Sequence, residues 1–267
     1  MKGPYPVLAR GHSGSRLLCE AFMQNDIWMG KVSKKTKDST EFRMDVPEVY
    51  ELMRDAFNYD GMSEAEKERA RETMRKLVGK VKKHCPNPED YVAYGWKRGL
   101  TMFFTEIFLD AFPEGKVIHL IRDGRDVMLS RLDGRMSRMD DRVNKLMIFG
   151  DENATEYNGA PLTSETVEKY RNEIEMKHWV NAMEFGLRGR KFEGRYHEVF
   201  YEDLCREPMA TLEKVFEFIE TPFTEKARAW IKENAYAGRI GKWKNYNGEL
   251  TAAMTIGEPM LKKLGYI

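Results

Sequence analysis

Two glycines, two serines and an arginine stand close together near the N-terminus, in the stretch GHSGSR at residues 11–16. The apolar run Tyr5–Ala9 before it and the helical pattern after it predict a strand, a tight turn and a helix. Backbone N–H groups at such a turn and helix N-terminus bind anions, phosphates in particular. The loop that binds nucleoside triphosphates with magnesium reads GxxxxGK[ST], and its lysine and spacing are absent here. An ordinary glycine turn is an equally good interpretation of this stretch taken alone.

A second stretch, VIHLIRDGRDVMLS at residues 117–130, places polar groups after a predicted buried strand. Arg122 follows the strand directly, and Ser130 lies in the second turn of the helix that comes next. Ligands of open α/β sheets bind beyond the carboxyl ends of the strands, so this guanidinium and hydroxyl suit a phosphate. The alternative is an ion-pair cluster on the surface, formed by Arg122, Asp123, Arg125 and Asp126.

Two later stretches carry residue types that suit a nucleotide. In VFYEDL at residues 199–204, Tyr201 ends a predicted strand and offers its ring or hydroxyl to a base, although a buried core tyrosine explains it as well. In GRIGKWKNY at residues 238–246, two glycines with Arg239, Lys242, Trp243 and Lys244 form a flexible cationic turn that suits an anion, called here the glycine-basic loop. A solvated basic loop is the alternative interpretation of this turn.

In this order and spacing, the four stretches resemble the sulfotransferases that use 3′-phosphoadenosine 5′-phosphosulfate (PAPS). The resemblance runs from about Val7 to the C-terminal LKKLGYI and is strongest at residues 7–18, 116–132, 196–219 and 238–247. The chain looks more like the broad bacterial branch of the family than the animal phenol and steroid enzymes. The alternatives are a phosphate-loop kinase of nucleotides or small molecules, and a nucleotide-binding relative without catalytic activity.

The resemblance implies a part of the PAPS site for each stretch. The glycine loop cradles the 5′-phosphosulfate, Arg122 and Ser130 bind the 3′-phosphate, and Tyr201 contacts adenine. Leu17 stands where many relatives carry an aromatic residue that stacks on adenine. The residues implied in the glycine loop are Gly11, His12, Ser13, Gly14, Ser15 and Arg16. The glycine-basic loop also binds the 3′-phosphate, and the residues implied there are Arg239, Gly241 and Lys242.

The catalytic groups depart from the family pattern. His12 stands where relatives carry a lysine or arginine, and the stretch that supplies their catalytic histidine corresponds to Lys97-Arg98-Gly99, which keeps only the lysine. We expect His12 and Lys97 to stabilise the charge that develops on the bridging oxygen during in-line sulfuryl transfer, with no metal required. Of the two carboxylates in KDSTEFR, Asp38 and Glu41, we expect Glu41 to be the base, although a surface carboxylate is the alternative interpretation.

Composition excludes other classes of function. Lys and Arg total 44 against 43 Asp and Glu, and this near balance gives no reason to expect a nucleic-acid partner. The three cysteines are widely spaced and match neither a disulfide framework nor a metal motif, which favours a reducing compartment. Without a signal-peptide core or an apolar run of about 18 residues, we expect a cytoplasmic protein with no membrane span. The acceptor is expected to be a small molecule or a glycan.

The elements that position these residues alternate between strands and helices. This pattern predicts an α/β fold, a mostly parallel central sheet flanked by helices, in a single domain over residues 1–267. Residues 132–163, rich in Gly, Asn, Asp and Arg, are expected to form a long loop or lid on the acceptor side. The predicted strands are Tyr5–Ala9, Tyr91–Gly95, Lys116–Ile121 and Tyr196–Phe200. The predicted helices are 15–25, 47–58, about twenty residues after Ser63, 101–112, one from Asp123, 165–189, 208–219 and 224–234.

Overall fold

The structure, a computed structural model, describes residues 1–130 and 141–267 of the chain. The chain divides into two units, each described here by itself. The first unit comprises Met1–Ile121 and Phe185–Gly238, and the second comprises Arg122–Glu184 and Arg239–Ile267.

Parallel strands form the centre of the first unit. Its strands are β1 (Val7–Ala9), β2 (Ile27–Trp28), β3 (Ala93–Tyr94), β4 (Val117–Ile121) and β7 (Tyr196–Phe200). The two short strands β5 (Glu156–Tyr157) and β6 (Ala160–Pro161) belong to the second unit. The order β1-β4-β7 is parallel throughout, with Leu8 opposite His119 and Ile121 opposite Phe200. All five residues of β4 are buried, as the continuous apolar run of a central parallel strand predicts.

A second, two-stranded sheet of β2 and β3 lies next to the segment that contains β1. Strands β2 and β3 pair in parallel, and the N–H groups of Tyr5 and Val7 donate to the carbonyls of Tyr94 and Trp96, both at 2.8 Å. An isolated parallel bridge joins Val7 to Lys97, so Lys97 lies beside the strand that leads into the glycine loop. The predicted fold class is therefore confirmed.

Helices account for most of the remaining chain. Those of the first unit are α1 (Ser15–Gln24), α2 (Pro47–Asn58), α3 (Glu64–Lys83), α4 (Thr105–Ala111), α9 (Tyr201–Arg206), α10 (Pro208–Phe218) and α11 (Glu225–Asn234); those of the second are α5 (Gly124–Leu129), α6 (Arg142–Phe149), α7 (Ser164–Lys169), α12 (Thr251–Lys263) and most of α8 (Arg171–Leu187). A capping box begins α3: the Ser63 hydroxyl accepts from the Glu66 N–H, and the Glu66 carboxylate accepts from the Ser63 N–H.

The prediction of one long loop over residues 132–163 is wrong where the structure describes it. Residues 132–140 lie outside the described residues, but helix α6 and the β5–β6 hairpin follow. Helix α6 has only eight residues, capped by the Asp141 side chain, so its apolar face spans two turns and gives little periodic signal. Helix α7 ends before Tyr170, so the segment predicted as one helix over 165–189 contains two helices, α7 and α8. A 3₁₀ helix over Gly99–Phe104 takes the place of the first half of the predicted helix 101–112. In the described ranges, no helix is both long enough and apolar enough to cross a bilayer.

Candidate functional site

The glycine loop joins β1 to α1 in the first unit. Gly14 begins the helix with a φ of 83° and His12 has a φ of 70°, so the turn uses left-handed backbone at two positions. Among the residues that the structure describes, no side chain caps the N-terminus of α1. The Ser13 hydroxyl oxygen is buried and makes no hydrogen bond to any described residue. An uncapped helix N-terminus beside an unsatisfied buried hydroxyl favours a bound anion, because buried polar groups are normally hydrogen-bonded.

Tyr201 packs directly on this loop. It is the first residue of α9, follows β7 without a break, and is buried. A Cβ atom built on Gly14 would lie 2.2 Å from Cε2 of Tyr201, so the ring leaves no room for any side chain at position 14. The ring therefore forms one wall of the glycine loop, and its predicted contact with adenine stays a prediction.

We predict that Gly14→Ala is far more harmful than Gly194→Ala. Both glycines have left-handed φ angles, 83° and 70°, but nothing lies within 4 Å of a Cβ at Gly194. Gly194→Ala should lower the free energy of unfolding by about 1 kcal/mol through backbone strain alone. Gly14→Ala adds the clash with Tyr201 and should cost about 3 kcal/mol. Urea unfolding of both variants checks this, and equal losses would contradict the packing described here.

Lys97 is a buried cation on a segment that packs against this loop. Its ammonium nitrogen lies 2.9 Å from Oδ1 of Asp38 and donates to the carbonyl of Thr36 at 2.6 Å. Two residues later, a Cβ built on Gly99 would lie 3.4 Å from the Gly11 nitrogen. The segment that resembles the catalytic stretch of the family is thus packed on the glycine loop by its backbone.

Residues 31–40 form a short hairpin, named here the lysine hairpin, that holds the ammonium of Lys97. An antiparallel bridge joins Val32 to Ser39, and the Ser39 N–H donates to the Lys97 carbonyl at 2.8 Å. The exposed side chain of Arg16, one of the residues predicted for the glycine loop site, donates from Nη1 to the Lys35 carbonyl at 3.2 Å. The hairpin is therefore attached both to the segment that carries Lys97 and to the first turn of α1.

Glu41, the predicted base, is buried at the foot of this hairpin. Its carboxylate accepts hydrogen bonds from the Ser39 hydroxyl at 2.6 Å and the Lys31 N–H at 3.1 Å, and Oε1 lies 3.0 Å from His84 Nδ1. Burial alone raises the pKa of Glu41, but these hydrogen bonds outweigh burial and hold the pKa below its ordinary value. The contacts give Glu41 a structural role and favour Asp38, the other carboxylate considered, as the one next to Lys97.

The lowered pKa of Glu41 predicts that the free energy of unfolding depends on pH. A carboxylate whose pKa is lower in the folded state stabilises the fold above its ordinary pKa, here 4.5, and this contribution is lost as the pH falls through the lower folded value. Glu41→Gln should therefore cost about 2 kcal/mol at pH 7. The difference from the wild type should shrink as the pH falls below 4.5. Urea unfolding at pH 7 and pH 3 measures this, with exposed Glu233→Gln as control; a penalty independent of pH contradicts the assignment.

Charged side chains also form a buried cluster in the second unit, around α5. Arg122 pairs with Asp126 at 3.2 Å, and Arg125 pairs with Asp123 at 2.7 Å. The ion pairs weighed as the alternative interpretation therefore exist, but they are not on the surface, since all four residues are buried. Buried ion pairs need further hydrogen bonds to offset the cost of desolvation. Asp126 receives such hydrogen bonds from the glycine-basic loop.

The carboxylate of Asp126 holds the glycine-basic loop. It accepts from the backbone N–H groups of Gly241 at 2.8 Å and Trp243 at 3.1 Å, while Nη2 of Arg122 donates to the Arg239 carbonyl at 2.6 Å. The guanidinium of Arg125 stacks on Trp243, 3.8 Å from the ring centroid. The structure thus brings Arg122 together with residues 239–243, as the predicted 3′-phosphate site requires, and leaves the side chains of Arg239 and Lys242 exposed.

Ser130 and His119 have clear positions. The hydroxyl of Ser130, at the end of α5, donates to the Asp126 carbonyl at 2.7 Å, so Ser130 adjoins the short helix that carries the ion-pair partner of Arg122. His119 is fully buried in β4, with Nδ1 hydrogen-bonded to the Tyr196 hydroxyl. Burial lowers the pKa of His119 to about 4, so this histidine is neutral near pH 7.

Sequence reasoning missed the anchoring role of Asp126. The signal was present, because Asp126 stands four residues after Arg122 on a predicted helix, a spacing that allows an ion pair. Its two backbone partners lie 115 and 117 residues later in the chain, and no local pattern indicates them.

We predict that Asp126→Ala lowers the free energy of unfolding by about 3–5 kcal/mol, because it leaves Arg122 buried without its carboxylate. Glu258→Ala is the matched control, since Glu258 and Lys262 form an ion pair of the same spacing on the exposed face of α12. That loss should be about 0.5 kcal/mol or less. Denaturant unfolding measures both, and similar values would show that the buried pair is not an anchor.

Comparison with known proteins assigns the family. The profile described as "Sulfotransferase family" matches residues 12–225. Carbohydrate sulfotransferase 3 of Mus musculus is 29% identical over 125 residues, which are 46% of this chain and 24% of that protein. The alignment therefore spans about a quarter of that curated relative.

Two solved structures share the fold. Sulfotransferase STF9 from Mycobacterium avium superimposes with a TM-score of 0.57 and 14% identity, covering 98% of this chain and 76% of that one. Mouse sulfotransferase SULT7A1, complexed with PAP, gives a TM-score of 0.50 and 11% identity, covering 99% and 85%. Because the family profile matches most of the chain, this protein belongs to the sulfotransferase family, which confirms the predicted resemblance.

Proposed function

We propose that this chain transfers a sulfuryl group from PAPS to a hydroxyl or amine of an acceptor. The observation that carries the proposal is the glycine loop, where an uncapped helix N-terminus and the unsatisfied Ser13 hydroxyl stand beside the segment of buried Lys97. Membership of the sulfotransferase family supports the same reaction and argues against the alternative function, a phosphate-loop kinase. The absence of the phosphate-loop lysine agrees with a donor that is not a triphosphate bound with magnesium.

Two sets of residues would hold the donor. In the first unit, the loop N–H groups and Ser13 would bind the 5′-phosphosulfate, with Tyr201 as a wall of this loop. In the second unit, Arg122, Ser130 and the loop anchored by Asp126 would bind the 3′-phosphate. The residues proposed for the donor are Gly11, His12, Ser13, Gly14, Ser15, Arg16, Leu17, Arg122, Ser130, Tyr201, Arg239, Gly241 and Lys242.

The chemistry supplied by bound PAPS is a sulfuryl group whose bond to the bridging oxygen breaks as the acceptor oxygen or nitrogen bonds to sulfur. Lys97, with His12, would stabilise the negative charge that develops on that bridging oxygen. Asp38, 2.9 Å from Lys97, would take the proton of an acceptor hydroxyl. We propose Asp38 for this step in place of Glu41, because the Glu41 carboxylate is already occupied by its hydrogen-bond donors. Independence from metal ions stays a prediction.

Of the two acceptor classes, a small molecule or a glycan, we propose a glycan. The support is the description of a relative as a carbohydrate sulfotransferase.

We predict that Lys97→Ala lowers the rate of sulfuryl transfer on the order of 100-fold or more, because one positioned donor to the leaving oxygen is lost. Affinity for PAP should change little, since the glycine loop and the Arg122 cluster remain. Transfer from labelled PAPS to a panel of glycans, phenols and amines measures the rate, and calorimetry measures PAP binding.

The matched control is Lys232→Ala, an exposed lysine at the end of α11. It should leave both readouts unchanged. Wild-type binding of PAP without transfer to any acceptor would favour the non-catalytic relative instead. Near-normal transfer by Lys97→Ala would remove Lys97 from the mechanism.

A further inference from the structure

The lysine hairpin carries more positive charge than its contacts use. It contains Lys31, Lys34, Lys35 and Lys37 within seven residues. The side chains of Lys34 and Lys35 are exposed, and neither forms an ion pair within the part of the chain that the structure describes. Its acidic residue, Asp38, is paired with Lys97, and nearby Glu41 is buried. The exposed face of the hairpin is therefore cationic.

The hairpin is also held in a defined conformation. The Ser33 N–H donates to the Asp38 carbonyl at 3.0 Å, the Thr40 N–H donates to the Lys31 carbonyl at 2.8 Å, and the hydroxyls of Ser33 and Thr36 lie 2.6 Å apart. Lys37 has a φ of 57°, a left-handed conformation that is unfavourable for a residue with a side chain. Such local strain persists where the surroundings impose it, and it is frequent at binding sites.

The same turn reaches the group proposed to act on sulfur. The Thr36 carbonyl accepts from the Lys97 ammonium, and the Lys35 carbonyl accepts from Arg16. Lys35 and Lys34 thus stand one and two residues before Thr36, whose carbonyl oxygen accepts from Lys97. A rigid turn that presents two exposed cations there is preorganised for an anion, which reduces the entropic cost of binding.

We propose that the lysine hairpin binds the acceptor, and that the acceptor carries carboxylate or sulfate groups near its reacting hydroxyl. This inference rests on the proposed sulfuryl transfer and adds the charge of the acceptor to it. Lys34 and Lys35 attract the anionic groups, while Asp38 of the same hairpin faces the reacting hydroxyl and Lys97, which Asp38 binds, faces the sulfur. Electrostatic attraction of this kind accelerates association and weakens as salt is added.

A matched pair of acceptors tests the proposal. One is an unsulfated polysaccharide with a uronic acid in every repeat, and the other is the same polymer after its carboxyl groups are reduced to alcohols. The uronate polymer should be sulfated with a kcat/KM at least about fivefold higher at low salt, a preference that shrinks at high salt. A monomeric uronic acid glycoside, assayed in parallel, distinguishes a small acidic acceptor from a polymer.

The variant Lys34→Ala/Lys35→Ala should raise the KM of the uronate polymer about fivefold or more and leave the KM of PAPS unchanged. The control Lys214→Ala/Lys232→Ala removes two exposed lysines from α10 and α11 and should change neither value. Equal use of both polymers, or an unchanged KM in the hairpin variant, would overturn the proposal.

Failure of the proposed reaction is recognised separately. If PAP does not bind or no acceptor is sulfated, affinity electrophoresis of the full chain through gels that contain each polymer still measures acceptor binding. Retardation by the uronate polymer alone, reduced in the hairpin variant but not in the control, supports the hairpin site. Equal mobility in both gels overturns it, whatever the fate of sulfuryl transfer.

Discussion

The interaction on which the first unit's site depends is the double attachment of Lys97. Its backbone pairs with β1, the strand that runs into the glycine loop, and its ammonium is bound by Asp38 and the Thr36 carbonyl. An ammonium removed from water is stable only where such oxygen atoms surround it. The lysine hairpin therefore supplies the oxygen atoms that this buried ammonium requires, and Glu41 fixes the foot of the hairpin through Ser39 and Lys31.

The second unit follows the same physical rule with the charges reversed. There a buried carboxylate, Asp126, pairs with Arg122 and accepts hydrogen bonds from two backbone N–H groups of the glycine-basic loop. In both units one buried charge gathers distant segments because leaving it unpaired costs several kcal/mol. Gly241 and Arg239, both proposed for the donor, lie on the loop that Asp126 and Arg122 hold, so this loop is ordered before any ligand arrives.

Local signals predicted much of this architecture. The bounds of α2 and β7 agree with the predicted Pro47–Asn58 and Tyr196–Phe200, because Pro at the first helical position and a bounded apolar strand are strong local patterns. The short elements were missed: β2 has two residues, and α6 and α9 have only two turns or fewer. The contacts that build the site, such as Tyr201 on Gly14 and Asp126 on Gly241, join residues far apart in the chain. Composition and periodicity carry no information about such pairs.

The donor proposed for this chain is an adenosine nucleotide with phosphates at both its 5′ and 3′ positions. The most direct measurement is a calorimetric titration of the full chain with PAP and with adenosine 5′-monophosphate, which lacks the 3′-phosphate. We expect saturable binding of PAP, at least about tenfold tighter than that of the monophosphate, because the monophosphate cannot form the charge-assisted hydrogen bonds proposed for the 3′-phosphate. Equal affinities, or no binding of PAP, would contradict the proposed donor.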